Sequence, residues 1–180
     1  LLHSGADGSL IRQIDPGPET WRLGHSLVAL PDLDGDGVGD LAAGAPGLVS
    51  CPPYGTGCLG SDRGRVLLLS GADGSLIGEW TGDTEGHLFG RRMALAGDLD
   101  QDGGGDVAVT SDADGGEVWI LSTATGATLL SLRDDTPGSQ FGQDLVTLPD
   151  GPASGVRFAV LSRQMDGSAR LRFHDAAGSL

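Results

Sequence analysis

The octapeptide Ser4-Gly-Ala-Asp-Gly-Ser-Leu-Ile11 is repeated without change at Ser70–Ile77. A looser copy, Ser-Thr-Ala-Thr-Gly-Ala-Thr-Leu, begins at Ser122, and a shorter copy begins at His174. The copies begin 66, 52 and 52 residues apart, so 52 residues is the basic period and the first interval contains an insertion. A period of this length is typical of folds in which each repeat is one supersecondary unit.

Each repeat contains four short apolar runs separated by turn residues. In the repeat after the second octapeptide the first three runs are Met93–Ala96, Asp106–Val109 and Glu117–Leu121. Runs of this length are too short for helices, and the Gly, Pro and Asp residues between them favour turns. Four strands in about 50 residues are typical of a propeller blade. The sequence therefore predicts an all-β fold, with β-propeller blades of four antiparallel strands, about three repeat units and almost no helix.

The dipeptides Leu23-Gly24, Phe89-Gly90 and Phe141-Gly142 mark the repeat boundaries, because each lies eight residues before an aspartate. We predict four units. Residues 1–22 are the end of a preceding blade, and residues 23–88 are a repeat with the insertion. Residues 89–140 are a second repeat, and residues 141–180 are a degenerate, truncated repeat. Both ends of the chain fall within a blade. We therefore expect a larger propeller, or one that other copies complete by pairing with the exposed edges.

Two nine-residue segments each carry four aspartates: Asp32-Leu-Asp-Gly-Asp-Gly-Val-Gly-Asp40 and Asp98-Leu-Asp-Gln-Asp-Gly-Gly-Gly-Asp106. Crowded carboxylates repel one another unless a cation compensates them or water reaches them all. Oxygen ligands at alternating positions suit calcium, with a carbonyl from the seventh residue and a glycine at the sixth for the turn. Position twelve is Ala43 or Val109 instead of the glutamate of an EF-hand. The alternative is a solvated acidic turn, which the repetition disfavours.

The third copy of this loop, Asp150–Phe158, keeps the first aspartate and the glycine but replaces the other carboxylates with Pro152, Ser154 and Phe158. We predict no ion there. The sequence thus predicts two calcium ions in the chain.

The Phe-Gly dipeptides, the acidic loops and Gly44-Ala45-Pro46 together resemble FG-GAP repeats, which build the β-propeller head of integrin α subunits. Leu23 departs from the pattern, and the Gly-Ala-Pro is missing from the later repeats. The resemblance implies that each acidic loop joins the first two strands of a blade and binds calcium. The implied ligands are Asp32, Asp34, Asp36, Val38 and Asp40 in the first loop, and Asp98, Asp100, Asp102, Gly104 and Asp106 in the second.

Cys51 and Cys58 are the only cysteines and lie in a segment rich in Gly and Pro. Two cysteines without a neighbouring histidine cannot fill a four-ligand zinc site. A short-loop disulfide is favoured over free thiols, and it would place the protein outside the reducing cytosol.

The chain has 180 residues and a formal net charge of −14, and all 11 of its basic residues are arginine. This charge disfavours binding to nucleic acid or anionic lipid, which recruit clustered Lys and Arg. The absence of lysine excludes a Schiff-base lysine and a Walker-type phosphate lysine. No segment of the sequence has the length and apolarity of a membrane span.

These features predict a calcium-stabilised module of a secreted or cell-surface protein that acts in adhesion or extracellular assembly and is not an enzyme. A periplasmic location is the alternative. The expected partners are a protein or glycan at the cell surface, or copies of the chain itself. Two other functions stay open. A polysaccharide hydrolase or lyase would need a carboxylate pair that calcium does not use. A lectin would need an exposed aromatic at the same place in each blade, and Trp21, Trp80 and Trp119 do not share one phase.

Overall fold

The computed structural model describes residues 1–14, 22–47, 63–112, 115–134, 136, 138–148 and 157–174. Within these ranges the backbone forms strands, turns and bends but no helix, so none that could cross a membrane is found there. The all-β prediction is confirmed. The strands in these ranges are β1 (Leu2–His3), β2 (Leu10–Arg12), β3 (Ser26–Ala29), β4 (Leu41–Ala45), β5 (Arg65–Leu69), β6 (Leu76–Thr81), β7 (Met93–Gly97), β8 (Asp106–Ser111), β9 (Glu117–Leu121), β10 (Thr128–Arg133), β11 (Gln140–Leu148), β12 (Arg157–Arg163) and β13 (Ala169–His174).

The strands form antiparallel sheets in which spatial order follows chain order. Strands β3–β6 form a four-stranded sheet, the first blade, and β7–β10 form the second blade. Strands β11–β13 form the third sheet, and β1 and β2 form the N-terminal hairpin. The prediction of four-stranded antiparallel blades is confirmed for the first two units, and this meander is the architecture of propeller blades.

The apolar core lies between consecutive sheets. Ala42 and Leu68 of the first blade pack with Val107 and Val109 of the second blade. A second cluster joins the second blade to the third sheet: Ala108, Val118, Ile120, Phe141, Phe158 and Val160. Both blades are thus covered on the face toward the next sheet. Burial of each large aliphatic side chain contributes about 1.5–3 kcal/mol.

The Phe-Gly dipeptides hold each sheet to the preceding one. Phe89 and Phe141 are buried, and the glycines after them adopt positive φ angles of 88° and 78°. The Phe141 amide donates to the Gly115 carbonyl at 2.7 Å, so the dipeptide lies against the β8–β9 turn of the second blade. Glycine follows the phenylalanine because other residues are strained at such φ angles.

In the third sheet, the pairing of the first two strands is shifted by one residue from the pairing that the 52-residue repeat predicts. Met93 pairs with Val109 in the second blade, whereas the corresponding Leu145 pairs with Val160. Strand β12 therefore begins one residue early, and the alignment of Phe158 with the aspartate Asp106 was wrong. Phe158 is fully buried in the strand and takes the place of Val107 in packing against the preceding sheet.

A buried ion pair also joins the second blade to the third sheet. Asp134, just after β10, accepts hydrogen bonds from Ser139 at 2.6 Å and from Thr136, and forms an ion pair with Arg172 of β13 at 2.8 Å. Burial alone would raise the pKa of Asp134, but the Arg172, Ser139 and Thr136 hydrogen bonds outweigh it and hold that pKa well below its usual range.

We expect Asp134→Asn to lower the free energy of unfolding at neutral pH by about 1.5–3 kcal/mol, since it removes hydrogen bonds to a charged group. Because the pKa is lowered in the folded state, the contribution is present above pH about 4 and is lost as pH falls below it. Urea unfolding between pH 7 and 2 should therefore show a shallower acid loss in the variant. Asp144→Asn, which removes an exposed carboxylate of the third sheet, is the control, and equal acid losses in all three proteins would contradict the assignment.

Candidate metal centres

The two acidic loops join the first and second strands of their blades, β3 to β4 and β7 to β8. The first loop is closed by reciprocal backbone hydrogen bonds between Leu30 and Asp40, at 2.8 and 3.1 Å. The sixth residues, Gly37 and Gly103, have φ angles of 86° and 90°, which is the sharp turn expected from a glycine at this position.

The first aspartate of each loop organises the turn by accepting backbone N–H groups. Asp32 accepts from Gly35 at 2.7 Å and from Gly37 at 2.8 Å, and Asp98 accepts from Asp102 and Gly103, each at 3.0 Å. The Gly37 hydrogen bond is the main reason why the pKa of Asp32 lies below its usual value. The first loop is therefore built around an ionised carboxylate.

The ninth aspartates are buried at the start of the second strand of each blade. Asp40 and Asp106 each accept the amide of the second loop residue, Leu33 or Leu99, at 2.6 Å through Oδ2. The Oδ1 atom of Asp40 also accepts the Gly71 amide at 3.0 Å, whereas Oδ1 of Asp106 is buried without a hydrogen-bond partner among the described residues.

Asp106 is fully buried, and burial raises its pKa to about 6, with further raising by the Asp100, Asp102 and Asp98 carboxylates. The Leu99 amide opposes this effect only in part. A buried carboxylate oxygen without a partner, surrounded by like charges, is costly unless a cation joins it.

Each loop brings three carboxylates together. One oxygen from each of Asp32, Asp34 and Asp40 lies within 4.8 Å of the others, and the same is true of Asp98, Asp100 and Asp106. These oxygens and the orphaned Oδ1 of Asp106 fit a hard divalent cation, and the flexible oxygen coordination of calcium suits such loops. Six of the ten predicted ligands are thus gathered into two groups.

The fifth loop residues, Asp36 and Asp102, are not members of these groups. Asp36 accepts the Val38 amide at 2.7 Å, and Asp102 accepts the Gly104 amide at 2.7 Å. Their second oxygens accept the hydroxyls of Ser70 and Ser122, at 3.4 and 3.2 Å. Val38 and Gly104, the predicted carbonyl ligands, therefore occupy the same turns as these aspartates.

The octapeptide that follows the acidic loop packs against that loop, a role that was not predicted from the sequence. Ser70 contacts Asp36, and the Gly71 amide donates to Asp40. A side chain at Gly71 would overlap the Gly39 carbonyl, which explains why glycine follows the serine in this copy. The signal available in the sequence was that a copy of the octapeptide follows each acidic loop, 38 residues after Asp32 and 24 residues after Asp98.

Cys51, Cys58 and the third loop between Asp150 and Gly155 lie outside the described residues. The disulfide and the absence of a third ion therefore stay predictions.

A cavity of about 220 Å³ lies between the β6–β7 connection and the second blade, at the end of the blade away from its acidic loop. Two acidic side chains, Asp83 and Glu117, line it, together with Trp119. Glu117 is buried and accepts two hydrogen bonds from Arg133, at 2.8 and 3.0 Å. Both oxygens of Glu117 are therefore already paired with Arg133 of the same blade.

Comparison with known proteins gives two findings. Residues 23–69, which contain the first acidic loop and strands β3 to β5, match the FG-GAP repeat family. A 128-residue stretch is 34% identical to integrin alpha-4 of Xenopus laevis. That alignment covers 67% of this chain and 12% of the relative, so the chain spans a small part of its length.

Proposed function

This chain belongs to the integrin α-like FG-GAP repeat family, and from that premise we propose that it is a calcium-binding β-propeller module acting in adhesion or extracellular assembly. The observation that carries the calcium part is the duplicated group of three carboxylates, at the same place in two consecutive blades. A solvated acidic turn has no reason to recur with a buried aspartate at the same position.

The proposed ligands of the first ion are Asp32, Asp34, Asp36, Val38 and Asp40, and those of the second are Asp98, Asp100, Asp102, Gly104 and Asp106. The ions have a structural role: each would neutralise a loop that otherwise repels itself, and it would join the first two strands of a blade. Two divalent ions would change the net charge from −14 to −10.

Calorimetric titration of the chelator-treated protein with calcium tests the ligand set. We expect two ions per wild-type chain, and one after either Asp40→Asn or Asp106→Asn. Asparagine keeps the acceptor for the Leu33 or Leu99 amide but removes the charge that the ion needs. The matched control is Asp7→Asn, which removes an exposed carboxylate from the other identical octapeptide and should still bind two ions.

Wild-type protein that binds no calcium, or an Asp7→Asn variant that loses as much binding as Asp106→Asn, would contradict this ligand set.

The adhesion part of the proposal rests on family membership and places the protein outside the cytosol, with a protein or glycan partner and no enzymatic activity. Attachment of cells to surfaces coated with this protein tests it. We expect cells to attach to the wild-type protein in calcium and to detach when chelator is added. We expect no attachment to the double variant Asp40→Asn/Asp106→Asn. Equal attachment to coated and uncoated surfaces would count against it.

A further inference from the structure

The two acidic loops differ at the residue before their first aspartate. The first loop has Pro31 there, whereas the second loop has Gly97, with a φ angle of 80°. Proline fixes its own φ angle in every state of the chain, whereas glycine has the greatest backbone freedom of any residue. The first loop therefore has fewer alternative conformations than the second loop.

The fourth loop position also differs, and this difference affects how the first aspartate is held. In the first loop this position is Gly35, whose φ angle is 81° and whose amide donates to Asp32 at 2.7 Å. In the second loop it is Gln101, which has a φ angle of 62°. A residue with a Cβ atom is strained at such an angle. Among the described residues, Asp32 accepts three backbone amides, whereas Asp98 accepts two.

The ninth aspartate has one more hydrogen bond in the first loop than in the second. The Gly71 amide donates to Asp40 Oδ1 at 3.0 Å, and a Cβ atom at Gly71 would overlap the Gly39 carbonyl. The residue at the same place in the second blade is Thr123. Within the described ranges, Oδ1 of the fully buried Asp106 and the buried Thr123 hydroxyl both lack a hydrogen-bond partner. The threonine therefore cannot repeat the close approach that completes the first loop.

All three differences act in the same direction. In the first loop, proline and backbone amides hold the carboxylates in the binding arrangement, so an ion enters a site that already has its final shape. In the second loop, backbone strain and an unpartnered buried oxygen favour relaxation when no ion is bound. An ion that enters the second loop must restore the binding arrangement, and this requirement lowers its affinity.

We propose that the two calcium sites fill in a fixed order, in which the first loop is a preformed, tight site and the second loop is a weaker site that becomes ordered when its ion binds. This proposal rests on the calcium-binding function proposed above. Calcium concentration then controls the order of the β7–β8 connection over a range in which the β3–β4 connection is already filled.

NMR titration of the isotope-labelled, chelator-treated chain with calcium tests this order, because the Gly37 and Gly103 amides report the two loops separately. These amides donate to Asp32 and Asp98, at 2.8 and 3.0 Å. We expect a sharp Gly37 signal in chelator, and we expect it to shift at the lower calcium concentration. The Gly103 signal should be broad in chelator and should sharpen at a calcium concentration about tenfold higher or more.

Exchange of the fourth loop residues tests the cause of this order. Gln101→Gly should lower the calcium midpoint of the second loop by about three- to tenfold, because the relief of strain exceeds the added freedom of glycine. Gly35→Gln should raise the midpoint of the first loop by a similar factor. Gly167→Gln is the matched control, because Gly167 also has a positive φ angle but lies outside both loops, and it should leave both midpoints unchanged. A Cβ atom at either glycine would meet nothing within 4 Å, so these substitutions test the backbone alone.

Each variant is first checked for unchanged signals outside the acidic loops. Equal midpoints for the two loops of the wild type, or a second loop that fills first, would overturn the proposed order. Midpoints that move in neither Gln101→Gly nor Gly35→Gln would overturn the difference in preformed structure as its cause. If neither signal responds to calcium, the calcium-binding function itself is contradicted, and the order with it.

Discussion

Removing calcium should lower the melting temperature of this protein by roughly 10–20 °C. At free calcium about a hundred times the dissociation constant, each site stabilises the folded state by about 2.7 kcal/mol through mass action. Two sites together contribute about 5 kcal/mol, and in a domain of this size each kcal/mol shifts the melting temperature by about 2–4 °C. Thermal melts followed by circular dichroism, with calcium and with excess chelator, measure the difference.

The double variant Asp40→Asn/Asp106→Asn separates binding from a general effect of the chelator. Its melt should be the same in both solutions. In chelator the single variant Asp106→Asn should melt at or above the wild type, because the substitution removes the buried charge at Asp106, whose pKa is raised to about 6. Asp40→Asn should melt below the wild type in chelator, because it loses one of the two oxygens that accept the Leu33 and Gly71 amides. A wild-type melt that does not respond to chelator would show that the loops are solvated turns.

Gly116→Ala should lower the free energy of unfolding by about 2–5 kcal/mol, because positive-φ strain costs about 1–2 kcal/mol and overpacking about 1–3 kcal/mol. Gly116 lies in the β8–β9 turn with a φ angle of 83°, and a Cβ atom there would overlap the carbonyl oxygen of Phe141. Neither backbone can move freely, because the Phe141 amide is bonded to the adjacent Gly115 carbonyl. Urea unfolding at constant calcium measures the loss.

Gly167→Ala is the control for backbone strain alone. Gly167 has the same φ angle of 83°, but a Cβ atom there would meet nothing within 4 Å. It should therefore show only the strain cost of about 1–2 kcal/mol. Equal losses in the two variants would contradict the role of Gly116 as the contact with the Phe-Gly dipeptide.

Local features of the sequence were sufficient to predict the strands and the acidic groups. Apolar runs of four to six residues between turn residues determine strands without help from distant contacts. The alternating aspartates, with glycine at the sixth position, determine how the turn gathers its carboxylates. Strands β7 to β9 accordingly form where the first three runs of the second repeat lie.

Features that depend on tertiary contacts could not be predicted in this way. The contact of Ser70 with Asp36 joins residues 34 positions apart and is visible only once β4 and β5 are paired. The one-residue offset of the third sheet could not be predicted, because the last three copies of the octapeptide keep a constant spacing of 52 residues. The available signal was Phe158, whose apolar side chain suits a strand better than a ligand position.

The most direct test of the central claim is an anomalous difference map from crystals of the protein grown in calcium. We predict two peaks, one in each acidic loop, each with carboxylate oxygens at about 2.3–2.6 Å, the distance at which calcium binds oxygen. The first peak should lie among Asp32, Asp34 and Asp40, and the second among Asp98, Asp100 and Asp106. Density for water alone at both positions, in crystals with ample calcium, would contradict the account.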